Sequence, residues 1–373
     1  MYGERLQRLQ EIAAGASVDV IALVPGPNLF YLTGAHFHLM ERPVIGLFPQ
    51  EGDPAFILPE MERSKLEDAP PYPLQTFAYS DAEGHDGAFS RAVDALGLRG
   101  KRLGVEGLRM RFAESQLLAR HAPGMMILDT GDALAELRLR KDRHEIAAIR
   151  QAITLSEDAL REVLAGIRAG MSEQQIANAL LIAMLQRGGG SVPFEPLVQT
   201  GPNSALPHGL PGERALREGD ILLIDFGTTV GGYASDITRT FVLGELRDVG
   251  LRDAYAVVLA ANEAGRKAAG PGVPCQEVDR AARAEIEKAG LGEYFIHRTG
   301  HGLGMEAHEG PFIREGNTQP LQPGHVITVE PGVYLPGVGG VRIEDDVLIT
   351  ANGSESLTTF PRALQSVGDH TLG

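Results

Sequence analysis

Along the first third of this chain, short apolar runs alternate with segments whose apolar positions recur at helical spacing. Val18–Val24, Val44–Phe48, Ala55–Leu58, Arg102–Val105 and Met126–Leu128 have the character of buried strands. Met1–Gly15 places Leu6, Leu9, Ile12 and Ala13 at helical spacing among arginines and glutamates, and Ala88–Leu98 and Glu114–His121 also read as helices. This alternation predicts an α/β domain, closed by a helix over Asp132–Leu139. Pro70-Pro71-Tyr72-Pro73 reads as a rigid loop and Ser80–Gly87 as a polar turn region. No phosphate-cradling glycine motif follows any of these strands.

Beyond a short charged link, Arg140-Lys141-Asp142-Arg143, the pattern changes. A long helical stretch runs from Glu145 to Ile167, and Ser172 with Gln175 has the spacing of a capping box that opens a helix ending at Gly188-Gly189-Gly190. Strand-like runs then occur in pairs around turns. Ile221–Ile224 and Ile237–Val242 flank Gly231-Gly232, and Val326–Glu330 and Val341–Val347 flank the glycine- and proline-rich segment 331–340. Helices are expected near Leu246–Ala269 and Gln276–Ala289. The reading is an N-terminal accessory α/β domain over residues 1–139 and an α+β catalytic domain over 140–373, with the paired hairpins hinting at an internal two-fold repeat.

Composition narrows the function classes. A length of 373 residues exceeds a typical single core, and 43% hydrophobic with 22% charged residues is ordinary for a globular protein. A net charge of −15 argues against nucleic acid and anionic membranes as partners. No stretch is apolar for long enough to span a bilayer, and the N-terminus lacks the continuous apolar core of a signal peptide. The lone Cys275 forbids an intrachain disulfide, fits a reducing compartment, and is expected to pack near a helix start. The expectation is a soluble, cytoplasmic protein.

The candidate chemistry lies on the paired runs. Asp225 ends one run and Asp236 opens the next, so the two face each other if the turn is centred on Val230-Gly231 and become diagonal neighbours on one face if it is centred on Gly231-Gly232. Glu330 and Glu344 flank their turn in the same way. His301 stands in Thr299-Gly300-His301-Gly302-Leu303-Gly304, where glycines allow close backbone approach to a ligand. Four clustered carboxylates need cations to coexist, and an oxygen-rich set with one imidazole suits two divalent ions, Mn²⁺ above all, with Co²⁺ or Zn²⁺ as alternatives. Taken singly, each of these residues has an ordinary reading as a turn, surface or satisfied polar group; the ordered set is what points to a dinuclear centre. Asp345 and Asp346 read as hydrogen-bonding or solvated acids at a strand edge.

In the stretches IDFGTTVGGYASDITRTF, GHGLGMEAHEGP, ITVEPGVY and GGVRIEDDVLIT, the chain resembles the pita-bread metallopeptidases, in the branch of Xaa-Pro dipeptidase (prolidase) and Xaa-Pro aminopeptidase (aminopeptidase P). The likeness extends over essentially the whole chain, the N-terminal part resembling the creatinase-like accessory domain. It implies Asp225, Asp236, His301, Glu330 and Glu344 as metal ligands. It also implies that His208, His297, His308, Tyr334 and Arg342 face the substrate, with Glu330 in addition shuttling a proton to the leaving nitrogen. A hydroxide bridging the ions would attack the scissile carbonyl while His308 and His208 stabilise the developing charge. His297 and Arg342 would orient the substrate through its C-terminal carboxylate or its downstream backbone.

The resemblance further implies a homodimer acting on Xaa-Pro dipeptides or short Xaa-Pro peptides. Dipeptidase is preferred because the chain lacks the longer N-terminal extension of many aminopeptidases P. Aminopeptidase P is the alternative, methionine aminopeptidase is less favoured because of the extra N-terminal domain, and a creatinase-like hydrolase or a non-catalytic binding module would be expected to lose ligands that are all present here. Phe194 and Phe37-His38-Leu39 are candidates for a proline-ring pocket, against a default of ordinary packing.

Overall fold

The computed structural model describes residues 2–67 and 72–368. Two compact units divide the chain, Met1–Arg138 and Leu139–Gly373. In the first, the strands β1 (Val20–Leu23), β2 (Ile45–Pro49), β3 (Ala55–Pro59), β4 (Gln75–Tyr79), β5 (Arg102–Val105) and β6 (Met126–Asp129) form one mixed sheet in the order β4-β3-β2-β1-β5-β6. Helices α1 (Tyr2–Gly15), α2 (Pro27–Thr33), α3 (Asp86–Ala95) and α4 (Phe112–His121) accompany it, and α5 (Gly131–Leu139) follows β6. Strand β4 went unread in the sequence because its residues are only half-buried, so it carries no apolar run. Of the expected proline-rich loop, Pro70 and Pro71 lie outside the described residues. Apolar side chains such as Ile45, Ile57, Phe89 and Leu118 fill the core of this unit.

The second unit opens with α6 (Arg143–Gly166), capped by Asp142 and Glu145 in a reciprocal box, and α7 (Glu173–Gln186), capped by Ser172 and Gln175 as their spacing predicts. The strands β7 (Leu197–Thr200), β8 (Ile221–Phe226), β9 (Thr229–Val230), β10 (Tyr233–Ala234) and β11 (Ile237–Leu243) follow, then the helices α8 (Val249–Ala268) and α9 (Cys275–Lys288). Cys275 is the fully buried first residue of α9. The strands β12 (Gly300–Gly302), β13 (Glu309–Ile313), β14 (Val326–Val329), β15 (Gly332–Leu335), β16 (Gly339–Arg342), β17 (Asp345–Thr350), β18 (Gly353–Ser356) and β19 (Ser366–Val367) complete the unit. The element order thus repeats: two helices, then strands with a hairpin that carries two acidic residues.

Sheet order places those hairpins. One sheet runs β19-β11-β8-β7 and another β13-β12-β14-β17-β18. Leu222, Ile224, Phe226, Phe241 and Val326 belong to one buried cluster, and the tight packing of strands that are apolar on both faces explains their nearly unbroken hydrophobic sequences. Among the described residues, no helix is long and apolar enough to cross a membrane.

Candidate metal centre

The first hairpin resolves the register left open by its sequence. Thr238 pairs with Asp225, Ile237 with Phe226 and Tyr233 with Val230, so the turn is centred on Gly231-Gly232 and the two aspartates are diagonal neighbours on one face. Both turn glycines have positive φ, 58° and 84°, as a two-residue turn of this hand requires. In the second hairpin, the pairs Val329 with Asp345 and Gly332 with Arg342 share one register, which sets Glu330 opposite Glu344. The strands expected over 326–330 and 341–347 are interrupted here, because Glu344 turns its backbone N–H to the Thr238 carbonyl of the other hairpin at 3.1 Å.

That contact is one rung of three between the hairpins, spaced every second residue. The Thr240 hydroxyl bonds the backbone of Arg342, the Thr238 hydroxyl donates to Glu344 Oε2 at 2.6 Å, and Asp346 Oδ2 accepts the Asp236 backbone N–H at 3.2 Å. Two-residue spacing keeps every rung on the same face of each strand. Of the reading of Asp345 and Asp346 as hydrogen-bonding or solvated acids at a strand edge, the hydrogen bonding holds, while solvation and the edge position are corrected: both are 0% exposed on the interior strand β17. Asp345 pairs with Arg239 at 2.8 Å and Arg362 at 2.7 Å.

His301 reaches the same place from β12. Its Nε2 lies 3.2 Å from Glu330 and 3.8 Å from Asp236, while Nδ1 faces the Gly302 carbonyl at 3.2 Å. The flanking glycines are required here, since a Cβ on Gly300 would run into the Thr328 carbonyl and one on Gly302 into the Gly310 carbonyl. Three donor groups result: Asp225, Asp236 and Glu344; His301, Glu330 and Glu344; and Asp236, His301 and His308, each with ligand atoms within 4.8 Å of one another. All five expected ligands enter these groups, and Asp236, His301 and Glu344 each belong to two. His308 joins them as well, with its ring 4.0 Å from that of His301.

Electrostatics shows what this set lacks. Desolvation and the neighbouring carboxylates hold Asp236 and Glu344 well above the usual carboxylate range, and desolvation also raises Asp225 despite Arg342. Burial likewise opposes the charge on Glu330, but the hydrogen bond and charge of His301 outweigh it and bring Glu330 to about 2. Asp225 Oδ1 is buried without a hydrogen-bond partner among the described residues. An orphaned carboxylate oxygen on Asp225, in the donor group it forms with Asp236 and Glu344 and in a set short of positive charge, fits divalent cations.

The substrate-side residues are not arranged alike. His208 is exposed, on a loop clamped by Gln199, whose amide donates to the carbonyls of Leu206 at 2.6 Å and Gly209 at 2.8 Å. His308 has an open edge to solvent, yet desolvation and the adjacent His301 lower it to about 4, leaving a neutral imidazole near neutrality. Arg342 is 2% exposed and bonded inward, to Asp225 Oδ2 at 2.5 Å, Thr238 Oγ1 at 3.1 Å, the Pro207 carbonyl at 3.3 Å and the Tyr334 hydroxyl at 2.7 Å. Tyr334, raised to about 12 by desolvation, keeps its proton and meets His297 Nε2 at 2.8 Å, while His297 Nδ1 meets the Arg298 carbonyl at 2.7 Å. Every donor in this chain points one way, from Arg342 through Tyr334 and His297 to a backbone carbonyl. The open guanidinium and imidazole expected for a substrate carboxylate are thus engaged within the protein.

Sequence reasoning missed Thr238, Asp346 and Gln199. Thr238 was detectable, since it lies two residues beyond Asp236 on the same strand face. Nothing local marked Asp346, whose partner Asp236 is 110 residues away, or Gln199, which clamps a loop of irregular backbone seven to ten residues on. Of the proline-pocket candidates, Phe194 is half-buried in the second unit, and Phe37, His38 and Leu39 belong to the first.

The chain is similar to known proteins over nearly its whole length. Residues 147–351 match the model of metallopeptidase family M24, and residues 5–140 that of the creatinase/prolidase N-terminal domain. A putative dipeptidase of Bacillus subtilis is 35% identical, covering 96% of this chain and 99% of the relative. The Xaa-Pro dipeptidase of Pyrococcus horikoshii is 33% identical over 98% of this chain and 99% of its own. Among solved structures, the recombinant prolidase from Thermococcus sibiricus superposes with a TM-score of 0.92 at 33% identity, covering 98% of this chain and 99% of that one.

Proposed function

Because the chain belongs to metallopeptidase family M24, with a creatinase/prolidase N-terminal domain ahead of the catalytic one, we propose that it hydrolyses Xaa-Pro peptide bonds and works as an Xaa-Pro dipeptidase. The carrying observation is the convergence of Asp225, Asp236, His301, Glu330 and Glu344 into overlapping donor groups in which Asp236, His301 and Glu344 are each shared. In this reading those five residues hold two divalent ions, Mn²⁺ being favoured by the carboxylate-rich set. When bound, the ions supply a water of lowered pKa and polarise the scissile carbonyl.

The chain's own residues do the rest. Glu330, a carboxylate at neutral pH, takes the proton of the attacking water and returns it to the proline nitrogen, which must leave as a secondary amine. His308, neutral and next to His301, donates a hydrogen bond where negative charge develops, and His208 approaches from the loop clamped by Gln199. Arg342, Tyr334 and His297 act through the ligands: the guanidinium fixes one oxygen of Asp225 and leaves the other for metal.

The same reading places the protein in the cytoplasm, as a homodimer, on the strength of its single buried cysteine and its resemblance to the dipeptidase branch. Chelation should abolish hydrolysis of an Xaa-Pro dipeptide and Mn²⁺ or Co²⁺ restore it. Full activity of metal-free protein would overturn the metal assignment. Comparison of kcat/KM for an Xaa-Pro dipeptide with that for the same sequence extended by one residue tests the substrate class. A preference for the dipeptide of roughly tenfold or more is expected, and equal or faster cleavage of the longer peptide would move the assignment to aminopeptidase P.

A further inference from the structure

With Arg342 and His297 bonded within the protein, a substrate carboxylate needs another cation. Arg298 supplies one. It directly follows His297 and precedes the strand that carries the ligand His301, and its side chain is half-buried. Among the described residues its guanidinium makes no ion pair or hydrogen bond, in contrast to the buried Arg239 and Arg342, each tied to an aspartate. It lies over the face of Phe312, 4.5 Å from the ring centroid, and Phe312 is 38% exposed. Stacking fixes the plane of a guanidinium while leaving its N–H edge free to meet a carboxylate in two parallel bonds.

Its surroundings point the same way. The Glu330 carboxylate is within electrostatic reach of Arg298, and the Arg298 charge helps to keep the His308 imidazole neutral. Arg314 adds a second positive charge nearby, and partial desolvation lowers the Arg298 pKa from its ordinary value. The main chain is also held firmly, since the Arg298 carbonyl accepts the His297 Nδ1–H and the N–H of Thr299 is bonded to both the Ile313 carbonyl and Asp279. A partly desolvated guanidinium left unpaired costs stability unless an anion completes it. In a protein of net charge −15, with acidic side chains abundant, its lack of an internal partner is informative.

We infer that Arg298, braced on Phe312, is a specificity-determining residue that binds a carboxylate of the substrate. This inference rests on the Xaa-Pro peptidase reading. The carboxylate has two sources, the C-terminus of the dipeptide or an acidic Xaa side chain, and the test separates them. Ala-Pro is compared with its C-terminal amide, and Asp-Pro with Asn-Pro, as kcat/KM in metal-loaded wild type, R298Q and R298K. The same four ligands are titrated calorimetrically onto metal-free protein, so that binding is read even if no hydrolysis occurs.

Binding of the C-terminus predicts that wild type favours Ala-Pro over its amide by about tenfold or more, that R298Q erases the preference mainly through KM, and that R298K restores part of it. Binding of the side chain predicts the same pattern in the Asp-Pro and Asn-Pro pair instead. Indifference of wild type within both pairs, or a preference that survives in R298Q, overturns the role of Arg298. A failure of the peptidase reading looks different: none of the four ligands is hydrolysed, whatever calorimetry shows about the charge preference.

Discussion

The centre is built from residues whose charges are unfavourable where they stand. Raising the pKa of Asp225, Asp236 and Glu344 makes each of them easier to protonate in the fold than in the unfolded chain. Stability tied to these groups is therefore present below their unfolded pKa values and is lost as pH rises through the folded ones. Glu330 has the opposite sign, its contribution being present at ordinary pH and lost only as pH falls through about 2. Metal-free protein should accordingly gain thermal stability as pH falls from neutral toward the upper carboxylate range. The rise in Tm on adding Mn²⁺ should be larger at pH 8 than at pH 5.5, with protons released on binding, measurable in buffers of different ionisation enthalpy. A metal-induced rise that grows toward acid would contradict these shifts. Asp225→Ala or Glu344→Ala should remove metal and activity together, whereas His308→Ala should retain metal and lose mainly kcat, by about 10²–10³-fold; metal content by elemental analysis separates the cases. The five residues proposed as ligands were legible as a set because residue type and order sufficed, and the fold brings them into overlapping donor groups. The inward bonding of Arg342 and His297 was not, since sequence names a donor without saying which acceptor takes it.

Between elements, the two hairpins are laced together by Thr240, Thr238 and Asp236 on one side and by Arg342, Glu344 and Asp346 on the other. The turns and most strands could be read from apolar runs and glycines, and the Gly231-Gly232 register was among those foreseen. The lacing could not be, because it pairs segments about a hundred residues apart through side-chain oxygens rather than a continuous ladder. The break in the strands at Glu330 and Glu344 follows from it: Glu344 serves the neighbouring hairpin. Two glycine substitutions distinguish a turn from a site. Gly231→Ala puts a side chain at φ 58° in a turn with open space around it and should cost about 1–2 kcal/mol, seen by urea unfolding, with activity retained. Gly302→Ala meets the Gly310 carbonyl, so β12 must shift and His301 with it. Loss of metal at a Tm close to wild type would be the mildest outcome, and an unchanged metal content would show that the close approach is dispensable.

Across the catalytic unit, Asp345 joins parts of the chain that neither hairpin reaches. Its carboxylate pairs with Arg239 of β11 and with Arg362 beyond β18, and lies 3.4 Å from Arg266 of α8. Arg239 in turn donates to the carbonyls of Glu344, at 2.5 Å, and Phe360, at 2.8 Å. The backbone of Glu344, a proposed metal ligand, is thereby fastened to the C-terminal segment through a buried arginine. The three positive charges around Asp345 keep it ionised, its pKa held below the ordinary value although burial alone would raise it. Removing only the acid leaves the buried Arg239 without its anion, a loss that costs about 3–5 kcal/mol in buried ion pairs. Asp345→Asn should therefore lower stability to denaturant by that order and weaken metal binding, although no ligand is changed. Asp345→Glu, which keeps the charge, should recover part of both. Wild-type stability in Asp345→Asn would mean that Arg239 finds enough carbonyls to do without its acid, and the fastening would then rest on hydrogen bonds alone.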